Sequence, residues 1–250
     1  MILSVAKDGT LHTAFDQIGL GTAIREDGSV LIKINLAHQP EPLHPRTDPS
    51  LLLQVIQYIA RHEARCAIAE GANGFLPQNI ESIGFGDMVR EYQVKLIDLD
   101  LEDTDCIVVD GEEHYLPKCL RNYPVRLGIP ATSKRPGLTF SNNVKLFVGA
   151  VPRRMYQNGE GGSPRPRVHT DLHRSVANIY RSIMAYAPFR FFVNGGKAMF
   201  EDRGEIDLKE TFVSDDALEL DQFVLDKFGI EPPDYIRRLV TISEVVKKVQ

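Results

Sequence analysis

The stretch from Ser29 to Gly71 decides the fold. It reads SVLIKINLA (29–37), a polar loop ending QPEPLHPR (39–46), TDPSLLLQVIQYIARHE (47–63), then RCAIAEG (65–71). Residues 30–36 form an apolar, β-branched run, the composition of a strand buried on both faces. Thr47 and Asp48 are N-cap types, and Pro49 falls in a first turn, where a missing N–H costs nothing. Leu52, Val55, Ile56 and Ile59 recur at the spacing of one helical face. Cys66–Ala69 is a second short apolar run. Together they predict a strand, a helix and a second strand, paired in parallel through a right-handed crossover.

Outward from this unit, strands and helices alternate. A short apolar start (Ile2, Leu3, Val5) predicts an edge strand, with a helix over 13–19 covering it. Asn79 is placed to cap a helix running to Tyr92, with Gly84 and Gly86 weakening it. Strands are expected at 94–100, 106–111 and 125–130, the last two separated by the polar EEHYLPKCLRNY. A helix from Ser141 should stop before Pro152. The stretch 153–169 carries three glycines, two prolines and four arginines, the composition of a long functional or irregular loop. Thr170 is the expected cap of a helix with Leu172, Val176, Ile179 and Ile183 on one face. FRFFVNGG (189–196) reads as a buried strand running into a turn. A further strand, a Ser214 cap, a helix containing Leu218 and Leu225, and a helical tail follow. The alternation predicts an α/β fold with a mainly parallel sheet flanked by helices, as one domain over 1–250 with an irregular subdomain near 112–168.

Composition narrows function by exclusion. Hydrophobic residues make up 43% and charged residues 25% of 250, ordinary values for a globular chain. A net charge of −5 carries no basic footprint for nucleic acid. Cys66, Cys106 and Cys119 are far apart with no CxxC, which fits a reducing compartment and buried thiols and gives no cluster or zinc-ribbon motif. The start MILSVAKDGTLH lacks the long apolar core of a signal peptide or membrane span, so a cytoplasmic protein without membrane partners is expected.

Several of these segments resemble, in order over residues 28–232, the family known as domain of unknown function 362. VLIKINL with TDPSLLLQVIQYI and AIAEG is similar to its opening. VKLFVGAVP is similar to its lysine-to-glycine segment, through Lys145 and Gly149. His169 with its following helix, FFVNGG and SDDALELD (Asp216, Asp221) match later segments. Ile34, Leu146 and Asn194 depart from the family's usual proline, asparagine and aspartate. IPATSKRPGLT is similar only loosely to a paired-lysine segment, through Lys134. The cysteine-rich, ferredoxin-like module of many relatives is missing. The resemblance implies no known activity or cofactor, and the relatives' module raises a separate electron carrier as a partner.

In open parallel sheets, ligands bind beyond the carboxyl ends of the strands. Those ends nominate Lys33 and Asn35, Glu70 and Gly71, Asn194 and Gly195, and Asp215 with Asp216. Lys33 sits within an apolar strand, where an unpaired ammonium is costly. It either pairs with Glu70 or faces a ligand. Lys134, Arg135 and the helix start near Ser141 suit a phosphate or carboxylate, and Arg153, Arg154, Arg165 and Arg167 are candidates to close over it. No phosphate-loop, dinucleotide or nucleophile-elbow motif is present. In HTDLH, His169 and His173 would share a face on one continuous helix and hold a metal. A cap at Thr170 puts His169 outside that helix and spoils the geometry, which leaves His169 an anion-facing or a general-acid role, and no metal site is expected.

The leading expectation is an enzyme, or a protein descended from one, that binds a small anionic molecule. Lys33, Glu70, His169 and Asp216 are its catalytic candidates, and Asn35, Lys134, Lys145 and Asn194 its ligand-binding ones. A non-catalytic binding or regulatory module using the same cleft is the alternative, and redox work with a separate electron carrier is a third reading. Assembly of identical copies is compatible with either of the first two.

Overall fold

A computed structural model describes residues 1–6, 9–36, 46–134, 140–159 and 163–249. The chain begins with β1 (Ile2–Ala6), α1 (His12–Gln17) and α2 (Leu20–Asp27), then β2 (Ser29–Ile34), α3 (Pro49–Arg61) and β3 (Arg65–Glu70). Next come α4 (Leu76–Ser82), α5 (Gly86–Glu91), β4 (Lys95–Asp98), β5 (Thr104–Val109), β6 (Glu112–Pro117), β7 (Val125–Ile129) and β8 (Ser133–Lys134). After α6 (Asn143–Leu146), α7 (Pro166–Thr170) and α8 (Leu172–Tyr186) follow β9 (Phe191–Asn194), β10 (Lys197–Phe200), β11 (Gly204–Asp207) and β12 (Glu210–Ser214). The chain closes with α9 (Ala217–Phe228) and α10 (Asp234–Val249).

Seven strands form the main sheet, in the order β1-β12-β9-β7-β2-β3-β4. The run from β9 to β4 is parallel, and β12 and β1 extend it antiparallel. β2 lies between β3 and β7, and all six of its residues are buried. Alternation along the strands splits the core in two. Val30, Ile32 and Ile34 pack on one face with Leu52, Val55, Ile56 and Ile59 of α3 and with Phe15 and Leu20. Leu31, Ala67 and Ala69 face the other way, onto Val144, Phe147, Val176, Ile179, Leu220 and Val224. Each of the Val, Leu, Ile and Phe side chains among them contributes roughly 2 kcal/mol by leaving water. α3 begins as its sequence predicts: the Asp48 carboxylate accepts from Ser50 N and Leu51 N, and Pro49 occupies the first turn.

Some boundaries differ from expectation for local reasons. The helix read over 79–92 is two helices, because Gly84 takes φ +80° between them. The helix read over 141–152 is a four-residue α6 followed by a 3₁₀ turn at Phe147–Ala150. The cap of α8 is Asp171, not Thr170, and the cap of α9 is Asp216, not Ser214. EEHYLP, read as a polar separator, is β6. It pairs with β5 in a two-stranded sheet beside the main one. Cys106 lies on the outer side of that hairpin and is exposed, contrary to the expected burial of all three thiols; Cys119 is buried and Cys66 partly so. Residues 112–168 hold β6, the central strand β7, α6 and most of α7. No helix among the described residues is long and apolar enough to cross a membrane.

Candidate functional site at the strand carboxyl ends

The parallel strands β2, β3, β7 and β9 end together, and the polar residues of their last turns converge there. Lys33 is fully buried, and its Nζ donates to Glu70 Oε1 at 3.0 Å and to the Ile34 carbonyl at 2.8 Å. Glu70 also accepts from Gly71 N at 2.8 Å and, through Oε2, from Leu36 N at 3.2 Å. Every oxygen of this buried carboxylate is thus engaged, which is the condition for tolerating it inside a protein. Burial pushes the lysine down and the glutamate up, and their contact opposes both shifts. Of the two readings of Lys33, the ion pair with Glu70 is the arrangement found.

Gly149 covers the pair. A Cβ at this position would stand 2.8 Å from Glu70 Oε1 and 3.0 Å from Lys33 Nζ, so only glycine lets the turn after α6 approach so closely. Behind it lies a second set of buried charges that composition alone did not reveal. Asp100, 4% exposed, takes Arg165 Nη2 at 3.1 Å, Arg153 Nε at 2.9 Å, and the backbone N–H groups of Arg153 (2.8 Å) and Asn73 (3.0 Å). Arg165 is 5% exposed and also donates through Nε to the Val151 carbonyl at 2.6 Å. Arg153 reaches the Gly71 carbonyl at 3.0 Å, and Arg154 bonds the carbonyls of Asp100 and Glu102. Arg153, Arg154 and Arg165 therefore clamp the β3 and β4 ends together.

Across the sheet, Asn194 ends β9 fully buried. Its Nδ2 donates to Thr132 Oγ1 at 2.7 Å and to Asn142 Oδ1 at 2.6 Å, while its Oδ1 has no hydrogen-bond partner among the described residues. Next to this cluster, Asp221 of α9 accepts from Asn143 N and Nδ2, both at 2.9 Å, and from Val144 N at 3.0 Å. It anchors the start of α6, and burial pushes its carboxyl up to about 7 against these hydrogen bonds. Thr47 joins the β2 and β7 ends, its hydroxyl donating to the Ile129 carbonyl at 2.6 Å and accepting from Asn35 N at 2.9 Å.

The remaining candidates spread around this core. Partial burial holds the His169 imidazole below its ordinary pKa, and the cations Lys145, partly buried on α6, and Arg165 add to the shift. His169 is exposed near the end of α7, and His173, on α8, stacks on Tyr235 of α10, so the two histidines belong to different helices. Among the described residues no group of three or more His, Cys, Asp or Glu is placed to hold a metal. Asp215 and Asp216, nominated as strand-end residues, lie instead at the opposite edge of the sheet, because β12 runs antiparallel to β9; Asp216 uses its Oδ1 to cap α9, accepting from Leu218 N at 2.7 Å and Glu219 N at 2.9 Å. Lys134 sits half-buried on β8 opposite Phe200, and Asn35 is half-buried with its backbone tied to Thr47. Arg135 lies outside the described residues. A cavity of about 570 Å³ opens beside the β2 and β9 ends, lined by Thr47, Asp48, Lys197 and Met199. Another, of about 700 Å³, lies at the amino ends of the strands, around Arg65, Cys66 and Lys95. Despite its size it is far from the converging charges, and strand-end chemistry favours the former.

The burial that defines this site explains what sequence reading missed. Asp100 lies in a stretch that looks like a solvated loop, and only its partners mark it out; Arg165 and Asp221 are already named from the sequence, and the fold alone pairs them with Asp100 and with the start of α6.

The solved structure of the lactate racemase apoprotein from Thermoanaerobacterium thermosaccharolyticum is similar in fold, with a TM-score of 0.52 at 14% identity. The match covers 82% of this chain and 49% of that one, so the chain spans about half the length of that protein. No curated protein matches the sequence significantly. The model of the family described as domain of unknown function (DUF362) matches residues 30–226, and the chain belongs to that family.

Proposed function

We propose that the chain binds a small anionic molecule, of the carboxylate or phosphate class, beyond the carboxyl ends of β2, β3, β7 and β9, and that the site is that of an enzyme or of a protein descended from one. One observation carries the reading: the concentration of cations there. Lys33, Arg153 and Arg165 face two ion-pairing carboxylates, Glu70 and Asp100. Asp98, which accepts from the N–H groups of Ala72 and Gly74, is a third carboxylate there, and Arg154, bonded to the carbonyls of Asp100 and Glu102, a fourth cation. Lys145 adds to the positive side at the rim, beside the exposed imidazole of His169. Such a field attracts an anion from solvent. The resemblance in fold to a protein named as a lactate racemase makes a small hydroxy acid a reasonable first substrate class. In this role Lys145 and Asn194 bind, and His169 carries the proton.

The binding-module reading has its own support. Lys33 and Glu70 are held by each other and by backbone groups, which leaves His169 as the accessible acid–base group among the catalytic candidates. The test is isothermal titration of the full chain with inorganic phosphate and with L-lactate, followed by chiral analysis of the lactate. Saturable binding, weakened about ten-fold in Lys145→Gln, is expected. Conversion to D-lactate would select the enzyme, and binding without turnover the module. Failure of both probes to bind, or an affinity indifferent to Lys145→Gln, refutes the site.

A further inference from the structure

A second cavity, of about 420 Å³, lies away from the strand ends, between β6, the turn at Tyr156 and the junction of α7 with α8. His114 lines it. The side chain is 3% exposed, and neither ring nitrogen has a hydrogen-bond partner among the described residues. Glu112 Oε2 stands 3.9 Å from Nε2, too far for a hydrogen bond. A buried imidazole with both nitrogens unsatisfied is rare in folded proteins and asks for a partner.

The charged side chains that line it do not pair with one another. Arg167 lies over the Tyr156 ring, 5.5 Å from its centroid, and reaches the Glu113 carbonyl at 3.4 Å. No carboxylate among the described residues comes within ion-pair distance of its guanidinium. Glu112 is held from the side by Arg174 at 3.0 Å and Asn178 at 3.2 Å, and Asp171 caps α8 through Oδ1. Among the described residues the cavity thus presents a cation without an acidic partner and, set apart from it, two carboxylates, Glu112 paired with Arg174 and Asp171. A simple anion would be drawn to Arg167 and repelled by Glu112 and Asp171; a simple cation would meet the reverse. A molecule carrying both charges satisfies both sides, and the volume suits a small ligand.

We propose that this pocket binds a small zwitterion, a free amino acid or a compound with the same paired carboxylate and ammonium. Its carboxylate meets Arg167, its ammonium turns toward Glu112 and Asp171, and His114 forms the floor and supplies the hydrogen bond that the ring now lacks. The site is separate from the strand-end cluster and does not depend on the function proposed there.

The test is saturation-transfer NMR on the full chain with each of the twenty free amino acids alone, and with acetate and methylammonium as single-charge probes. At least one amino acid is expected to bind saturably. Its Kd should rise about ten-fold or more in Arg167→Gln and in His114→Phe, and both single-charge probes should bind far more weakly. Arg167 is only partly buried, so Arg167→Gln retains the fold even where His114→Phe does not. The proposal is overturned if no amino acid binds with a Kd below about 10 mM, if Arg167→Gln leaves the Kd unchanged, or if acetate alone matches the best amino acid.

Discussion

Replacing Lys33 with methionine isolates the energetics of the strand-end cluster. Methionine has nearly the shape of the lysine stem, so the change removes the charge while leaving little cavity. What it leaves behind is Glu70, fully buried and without its cation. Breaking a buried ion pair from one side costs about 3–5 kcal/mol. Glu70 keeps two backbone donors, Gly71 N and Leu36 N, which places the expected loss near the lower end, about 3 kcal/mol. Adding Glu70→Gln removes the stranded charge while keeping an acceptor for those donors. The double variant should therefore recover about 2 kcal/mol of the loss, the coupling expected of neighbouring groups. The assay is urea unfolding followed by circular dichroism, comparing midpoints at a common m value. The pH arm has a definite sign. In the single variant, burial without a counter-ion holds the Glu70 pKa above its unfolded value. The deficit therefore shrinks as pH falls toward the unfolded value near 4 and is largest above the folded pKa. A loss in Lys33→Met of less than about 1 kcal/mol, or a double variant no more stable than the single one, refutes the reasoning.

Two further outcomes follow from the same geometry. Gly149→Ala sets a methyl 2.8 Å from Glu70 Oε1 and should destabilise by about 1–3 kcal/mol, read as a lowered thermal midpoint; an unchanged midpoint means the turn after α6 does not press on the ion pair. Asp221→Asn turns one acceptor oxygen into a donor facing Val144 N or Asn143 and should cost about 1–3 kcal/mol. Because the Asp221 carboxyl is raised to about 7, the parent protein should lose stability as pH climbs from its unfolded value near 3.8 toward 7, and this part of the profile should vanish in Asp221→Asn. Parallel stability–pH curves for the two proteins would contradict the assignment.

Legibility in the sequence tracked how local each signal was. The β2–α3–β3 unit could be read because strand burial, the Asp48 cap and the helical stripe each occupy consecutive residues, and the structure forms all three. The Lys33–Glu70 pair was also within reach, since a lysine in an apolar strand has few acceptable partners and Glu70 ends the neighbouring strand. Asp216 shows the limit. It follows the carboxyl end of β12, but β12 runs antiparallel to β9, so that end lies at the opposite edge of the sheet from Lys33, Glu70 and Asn194, and its carboxylate caps a helix.

The amino-acid sequence by itself determined the class of fold, the central unit of the sheet and the place where polar residues would gather, because hydrophobic periodicity and capping act within a few residues. Tertiary structure decided which charges meet. Asp100 joins Arg165 across 65 residues, Asn143 joins Asp221 across 78, and Gly149 closes over a pair formed 37 residues apart. Those contacts depend on the order of strands in the sheet and on the path of the chain over its end, and no short window of sequence carries either.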